Sequence, residues 1–270
     1  MSLTMSMTLS DLRGMPHMSI SQLKTFLQCP RKYRYHYVDR TEPEFRAIAL
    51  AFGTAWHETI GAHLLPQVKG EYLSRAELQA FFRDSLTEQV NEDGPPVLFE
   101  DEEDLGKTID LGLRMLDAFF LRVPRPDRVL EVERAFVLEL AHPVSGEIAP
   151  VPLIGAIDAI VIDEGKTEVW ELKTGKKKWS ADQLEFDPQP TAYVMAAREL
   201  GHEEAGVKVL VTTTTTRPDV QVEKLVRRRG DERELAETVL DVLQAVKAGV
   251  DHRVRGWGCR SCAFASTCGA

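Results

Sequence analysis

The sequence has no apolar run approaching the roughly 20 residues that a helical bilayer span requires, which excludes a helical membrane protein. It has no internal repeat and no long Gly/Ser linker, so it reads as one compact body carrying an insertion. Five of its seven methionines (Met1, Met5, Met7, Met15, Met18) fall in the first 18 residues. That stretch has neither the basic nor the long apolar segment of a secretory signal. It reads as a disordered leader over residues 1–18, and the protein as cytoplasmic. Bases are scarce in one place: between residues 71 and 104, Arg75 and Arg83 stand against eleven acids, and this segment carries the whole net charge of −9. Elsewhere 31 bases balance 31 acids, and the bases cluster at 31–34, 173–178, 227–229 and 253–260. Such runs serve either as phosphate-binding surfaces or as solvated faces.

With 270 residues and 43% hydrophobic composition, the chain can bury a sizeable core. Ser19 caps a short amphipathic helix with Leu23, Phe26 and Leu27 on one side, stopped by Pro30 with Cys29 at its end. A second helix is expected over 52–65. Helical patterns flank the breaker Asp93-Gly-Pro-Pro96, which makes residues 66–122 an acidic, all-helical insertion. From Val129 the pattern turns to β. Strands are expected over 129–140, 153–162, 168–173, 207–213 and 220–225, with a hairpin turn at 163–167 and helices over 189–200 and 231–248. The strand 153–162 is apolar on both faces, as a central strand should be. The order implies an α/β body with a mixed sheet flanked by helices.

Asp158 sits inside that apolar strand, where an unpaired carboxylate costs several kcal/mol unless a cation meets it or it takes up a proton. Period-two geometry puts Glu171 and Lys173 on one face of the next strand, and a hairpin brings Asp158 beside them. Two carboxylates and an ammonium at one point suit Mg²⁺ or Mn²⁺ and an activated water. The alternative is a structural Asp–Lys pair with Glu171 at a sheet rim. His57, on the second helix, is either a ligand or a satisfied core residue. Gln189 and Tyr193, one helical turn apart, either contact a phosphate or hold the lysine, or else simply pack. Pro190 places Gln189 at or before the first helical turn.

The chain has four cysteines: Cys29, and Cys259-x2-Cys262-x5-Cys268 in a short tail. Four clustered thiolates suit zinc or an iron–sulfur cluster. Disulfides are disfavoured in a reducing compartment. Joining Cys29 to the tail clips the ends of the fold together, so metal loss should loosen the whole domain. Around these cysteines, Tyr33, Tyr35 and Tyr37 interleave with Arg31, Lys32 and Arg34, and Trp257 lies between Arg255 and Arg260. This mixture suits stacked bases beside a tracked backbone, or ordinary packing around a metal site.

Taken in order, Ser19-x-Ser21, Cys29-Pro-Arg-Lys-Tyr33, Gly53-x3-His57, Gly155-x2-Asp158, Glu171-x-Lys173, Gln189-x3-Tyr193 and the cysteine tail resemble the RecB-like exonucleases of the PD-(D/E)XK superfamily. The resemblance spans about residues 19–268 and is closest to the iron–sulfur branch that includes the AddB nuclease domain and CRISPR-associated exonucleases. It implies a restriction-endonuclease-like core over 129–225, within a single nuclease domain over 19–270. It also implies a cluster module formed by 250–270 with Cys29. By the same resemblance His57, Asp158 and Glu171 hold Mg²⁺ or Mn²⁺, and Lys173 positions the attacking water. Gln189, Tyr193, Arg31 and Lys32 support the site or the DNA, and Cys29, Cys259, Cys262 and Cys268 hold a 4Fe–4S cluster.

The expected function is a metal-dependent exonuclease acting on DNA, mainly single-stranded ends, in repair, recombination, or phage- or CRISPR-related processing. The alternative is a non-catalytic DNA-end-binding subunit of a larger complex, docked to a protein partner through the acidic insertion. The presence of Asp158, Glu171 and Lys173 together speaks against that alternative.

Overall fold

The fold is that of a computed structural model, which describes residues 7–100 and 102–269. Along the chain run helix α1 (Leu9–Arg13), strand β1 (Met18–Ser19), α2 (Ile20–Gln28), α3 (Pro30–Tyr33), β2 (Arg46–Ala47), α4 (Ile48–Leu64), α5 (Arg75–Asn91), β3 (Val97–Leu98) and α6 (Leu105–Arg122). There follow β4 (Arg128–Leu138), β5 (Leu153–Asp163), β6 (Lys166–Gly175), α7 (Ala181–Phe186), α8 (Pro188–Glu199), β7 (Gly206–Thr213), β8 (Val220–Leu225), α9 (Arg229–Lys247) and α10 (Ala265–Cys268). A six-stranded mixed sheet has the order β1-β5-β6-β7-β8, with β4 also paired to β5. β6 runs parallel to β7, joined through α7 and α8, while the β5–β6 and β7–β8 pairs are antiparallel.

The chain divides into two compact units. One comprises residues 47–134 and 157–227. Its core gathers Phe52, Trp56 and Ile60 of α4, Phe82 and Leu86 of α5, and Met115, Leu116 and Phe119 of α6 with Val161, Trp170 and Leu210 of the sheet. The i, i+4, i+8 spacing of Phe52, Trp56 and Ile60 makes one apolar face on α4. Helices α5 and α6 approach closely because residue 112 is glycine: a Cβ there would lie 2.0 Å from the Phe82 ring. The β5–β6 hairpin turns on Glu164 and Gly165, both with positive φ (50° and 70°), the two-residue turn whose twist matches antiparallel strands.

The other unit comprises residues 1–46, 135–156 and 228–270. Here β1 pairs in parallel with the start of β5, Met18 opposite Leu153. Gly155 lies under the Phe136 ring, where a Cβ would come within 2.6 Å. Helix α2 is capped by Ser19, whose hydroxyl accepts from the Gln22 N–H while the Gln22 side chain accepts from Ser19 N–H.

Three expectations change. Of the leader, residues 1–6 lie outside the described residues, but residues 9–13 are helical. A Thr8/Asp11 capping box starts that turn and Leu12 is buried, so the segment is anchored where disorder was expected. The second helix begins at Ile48, four residues early, because Ala47 offers no side-chain cap to mark the start. The acidic insertion is not wholly helical: beyond the Gly94-Pro95-Pro96 breaker, Val97–Leu98 is extended.

Candidate functional site

Strand β5 carries Asp158 on a segment buried on both faces. The β5–β6 ladder runs from Asp163↔Lys166 to Ala159↔Trp170. One step further on, the Asp158 side chain takes up a ladder donor: its Oδ2 accepts the Leu172 N–H at 2.7 Å. A buried carboxylate fixed by a backbone amide cannot swing, which aims Oδ1 at two partners. His57 Nδ1, from α4, lies 3.3 Å away, and the Tyr193 hydroxyl, from α8, donates at 3.3 Å.

On β6, Glu171 and Lys173 share a face as the period-two pattern requires, with Lys173 Nζ 2.8 Å from Glu171 Oε1. Lys173 also donates to Gln189 Oε1 at 2.9 Å, and the Gln189 amide donates to the Tyr193 hydroxyl at 2.9 Å. Gln189 is held at the start of α8, where its N–H donates to the N-cap carboxylate of Asp187. The proline after it thus fixes its place on the first turn without removing it from the site. All six residues read from the sequence, His57, Asp158, Glu171, Lys173, Gln189 and Tyr193, therefore join in one chain of contacts.

Burial opposes charge throughout this cluster, and local partners decide the outcome. For Asp158, burial is outweighed by His57 and Lys173, and its carboxyl is held below the usual range. For His57, burial is outweighed by Asp158, and the imidazole is raised. For Lys173, burial is outweighed by Glu171 and Asp158, and the ammonium is raised. For Glu171, burial wins over Lys173 and pushes the carboxyl up to about 7.

The sequence reading missed Glu133. This β4 residue places a carboxylate oxygen with His57 and Asp158 so that the three ligand atoms lie within 4.8 Å of one another. It does so with a left-handed backbone, φ 49°, uncommon for a glutamate. Although Glu133 is exposed, the loss of water around its carboxyl and the nearby Asp158 push it up to about 7. The irregularity shows in the burial of β4, whose buried positions are odd-numbered at Val129 but even-numbered at Phe136 and Leu138. That slip of phase marks an irregular residue between them.

The donors fit a divalent cation. A histidine nitrogen and two carboxylates converge, and Glu171 beside them is fully buried with Oε2 lacking any hydrogen-bond partner. An orphaned buried carboxylate oxygen of this kind calls for a cation or a proton. Glu171 itself is not one of the three atoms at mutual 4.8 Å spacing.

In the other unit, Cys29 sits where α2 gives way to α3, Cys259 and Cys262 lie in and just after the turn 257–261, and Cys268 ends α10. All four are free thiols lining one cavity. No three of their sulfurs come within 4.8 Å of one another, since among the described residues that spacing is met by His57, Glu133 and Asp158. Arg31 ties the C-terminal segment in place: its Nε donates to the Asp251 carbonyl at 2.7 Å and its guanidinium pairs with the Asp251 carboxylate at 3.2 Å. Lys32 remains at the cavity wall. The tyrosines are packing residues. Tyr33 is buried edge-on against Phe26, Tyr37 lies against Tyr33, and Tyr35 lies against Phe264.

A mixed sheet thus presents Asp158, Glu171 and Lys173 on adjacent strands beside a group of residues able to hold a cation. The chain matches the family model of the PD-(D/E)XK nuclease superfamily over residues 17–269 and belongs to that family. A candidate exonuclease from Eubacterium rectale shares the fold, with a TM-score of 0.57 at 15% identity, covering 99% of this chain and 93% of that one. SSO0001 is more distant in shape, with a TM-score of 0.43 at 15% identity, covering 96% and 91%. Among curated proteins, none matches the chain. The protein is a nuclease of the hydrolase class, and no helix among its described residues is long and apolar enough to cross a membrane.

Proposed function

We propose that the protein is a Mg²⁺- or Mn²⁺-dependent exonuclease that degrades DNA from single-stranded ends, with a 4Fe–4S cluster holding its thiol-rich unit together. The observation that carries the reading is the contact chain from the His57, Glu133 and Asp158 ligand group through Tyr193 and Gln189 to Lys173. His57, Glu133 and Asp158 would hold the divalent ion, with Glu171 beside them. When bound, that ion polarises a phosphodiester oxygen and lowers the pKa of a coordinated water.

The side chains supply the rest. An ammonium has three N–H donors, and on Lys173 one faces Glu171 and one faces Gln189. The third is left to orient the attacking water or to meet the charge developing on the phosphoryl oxygens. Glu171 and Asp158 keep Lys173 charged despite its burial, and Tyr193 keeps Asp158 from turning.

Four thiols lining one cavity suit zinc or an iron–sulfur cluster, and the resemblance favours the cluster. Setting in DNA repair, recombination, or phage- or CRISPR-related processing follows from the resemblance, as does docking of a partner on the acidic insertion.

The test is anaerobic purification, iron and sulfide analysis, and incubation with strands labelled at either end. Metal-dependent shortening from one end, abolished by EDTA, and about four irons per chain are expected. No cleavage with either ion, or stoichiometric zinc in place of iron, would overturn the corresponding part.

A further inference from the structure

We propose that Trp257 is a stacking platform for an unpaired nucleotide, with Lys32, Arg255 and Arg260 as the cations that meet its phosphates. This rests on the nuclease reading and deepens it: it names the part of the thiol-rich unit that grips a single strand.

Trp257 is 87% exposed, whereas Trp56 and Trp170 are fully buried. A large aromatic left in water forgoes the gain of burial, and the other aromatics around the cysteines do pack. The indole is nonetheless carried on a fixed turn: residues 257–261 form a 3-10 helix containing Cys259, and the Cys259 N–H donates to the Gly256 carbonyl at 3.1 Å. Beside it opens a cavity of about 220 Å³, lined by Trp257, Gln28, Lys32 and Gly258.

The charges around the turn divide into two sets. Arg31 and Arg34 are compensated by Asp251 together with Asp39. The side chains of Arg253, Arg255 and Arg260 are exposed and enter no ion pair or hydrogen bond among the described residues, and the Lys32 ammonium reaches the Gln28 side chain at 3.4 Å. Uncompensated cations beside a solvent-facing indole match a phosphate backbone and the π-face of a base. The base must be free of its partner strand to lie on the indole, so the platform selects unpaired nucleotides.

The experiment uses the full-length protein with its cluster assembled, in a Lys173→Ala background so that the strand survives. A fluorescent oligo(dT) and a blunt duplex of the same length are the probes. Trp257→Ala should weaken oligo(dT) binding about tenfold, and Trp257→Phe should restore most of it. Duplex binding and iron content should stay unchanged in both. In the parent, oligo(dT) should quench the tryptophan emission that Trp257→Ala removes. If Trp257→Ala binds oligo(dT) as tightly as the parent, or Trp257→Phe binds as poorly as Trp257→Ala with iron intact, the platform is overturned while the nuclease reading stands. If the parent binds neither probe, the nuclease reading falls and the platform with it.

Discussion

The Gln189 amide donates to the Tyr193 hydroxyl at 2.9 Å, one helical turn away on α8, while its carbonyl oxygen accepts from Lys173 at 2.9 Å. One side chain thus connects the ammonium on β6 to the phenol that anchors Asp158 on β5. Removing it leaves every charged group in place but frees two of them to move. Gln189→Ala should lower kcat about tenfold with divalent-ion affinity unchanged. Tyr193→Phe, which frees Asp158 Oδ1, should weaken Mn²⁺ binding as well. Steady-state kinetics paired with Mn²⁺ titration separate the two.

Glu133 holds strain for the sake of position. Its left-handed backbone costs about 1 kcal/mol or more in a residue with a side chain, and its carboxyl lies near that of Asp158. Glu133→Gly should therefore raise unfolding stability by about 1 kcal/mol while lowering Mn²⁺ affinity. Glu133→Gln should lower affinity without the gain. Denaturant midpoints and Mn²⁺ titration of both variants check this.

At the turn end of the sheet, Lys208 is buried between Asp163 at 2.6 Å and Glu168 at 2.5 Å, while the half-exposed Lys224 also reaches Glu168 at 3.0 Å. Removing the inner lysine takes the ammonium from Asp163 and leaves buried Glu168 with only the half-exposed Lys224. Lys208→Met should cost about 3 kcal/mol, and Lys224→Ala less than about 1 kcal/mol. Urea unfolding of the two variants gives the comparison.

His63 on α4 is buried against the Phe120 ring. Burial, with help from Arg125, pushes it down to about 4 from 6.5. The unfolded chain therefore takes up this proton first as pH falls. The stability tied to neutral His63 is complete above pH 6.5 and is lost between 6.5 and about 4, by up to about 3 kcal/mol. His63→Leu should flatten the pH dependence of the urea midpoint across that window. An unchanged slope would contradict it.

Much of this site was legible in the chain because its parts obey local rules. A carboxylate in an apolar strand, a Glu-x-Lys on one face of the next and a Gln-x3-Tyr on one side of a helix each follow from a period of two or 3.6. Glu133 was not legible, since a left-handed glutamate within a strand has none of the glycine, asparagine or aspartate signals that mark such a backbone. Nor does spacing tell a stacking aromatic from a packing one. Tyr35 and Trp257 stand in similar basic surroundings, and only Tyr35 finds a ring, Phe264, to lie against. The cysteine spacing foretold convergence but not the distance between sulfurs, which depends on how α2 and the tail turn are held.

The central claim is that Lys173 acts on phosphodiester cleavage from within the His57, Glu133 and Asp158 neighbourhood. Single-turnover cleavage of an end-labelled single strand with Mn²⁺, comparing the parent with Lys173→Ala, tests it most directly. A loss of about 100-fold or more with Mn²⁺ affinity retained is the predicted result. Equal rates for the two proteins would contradict it.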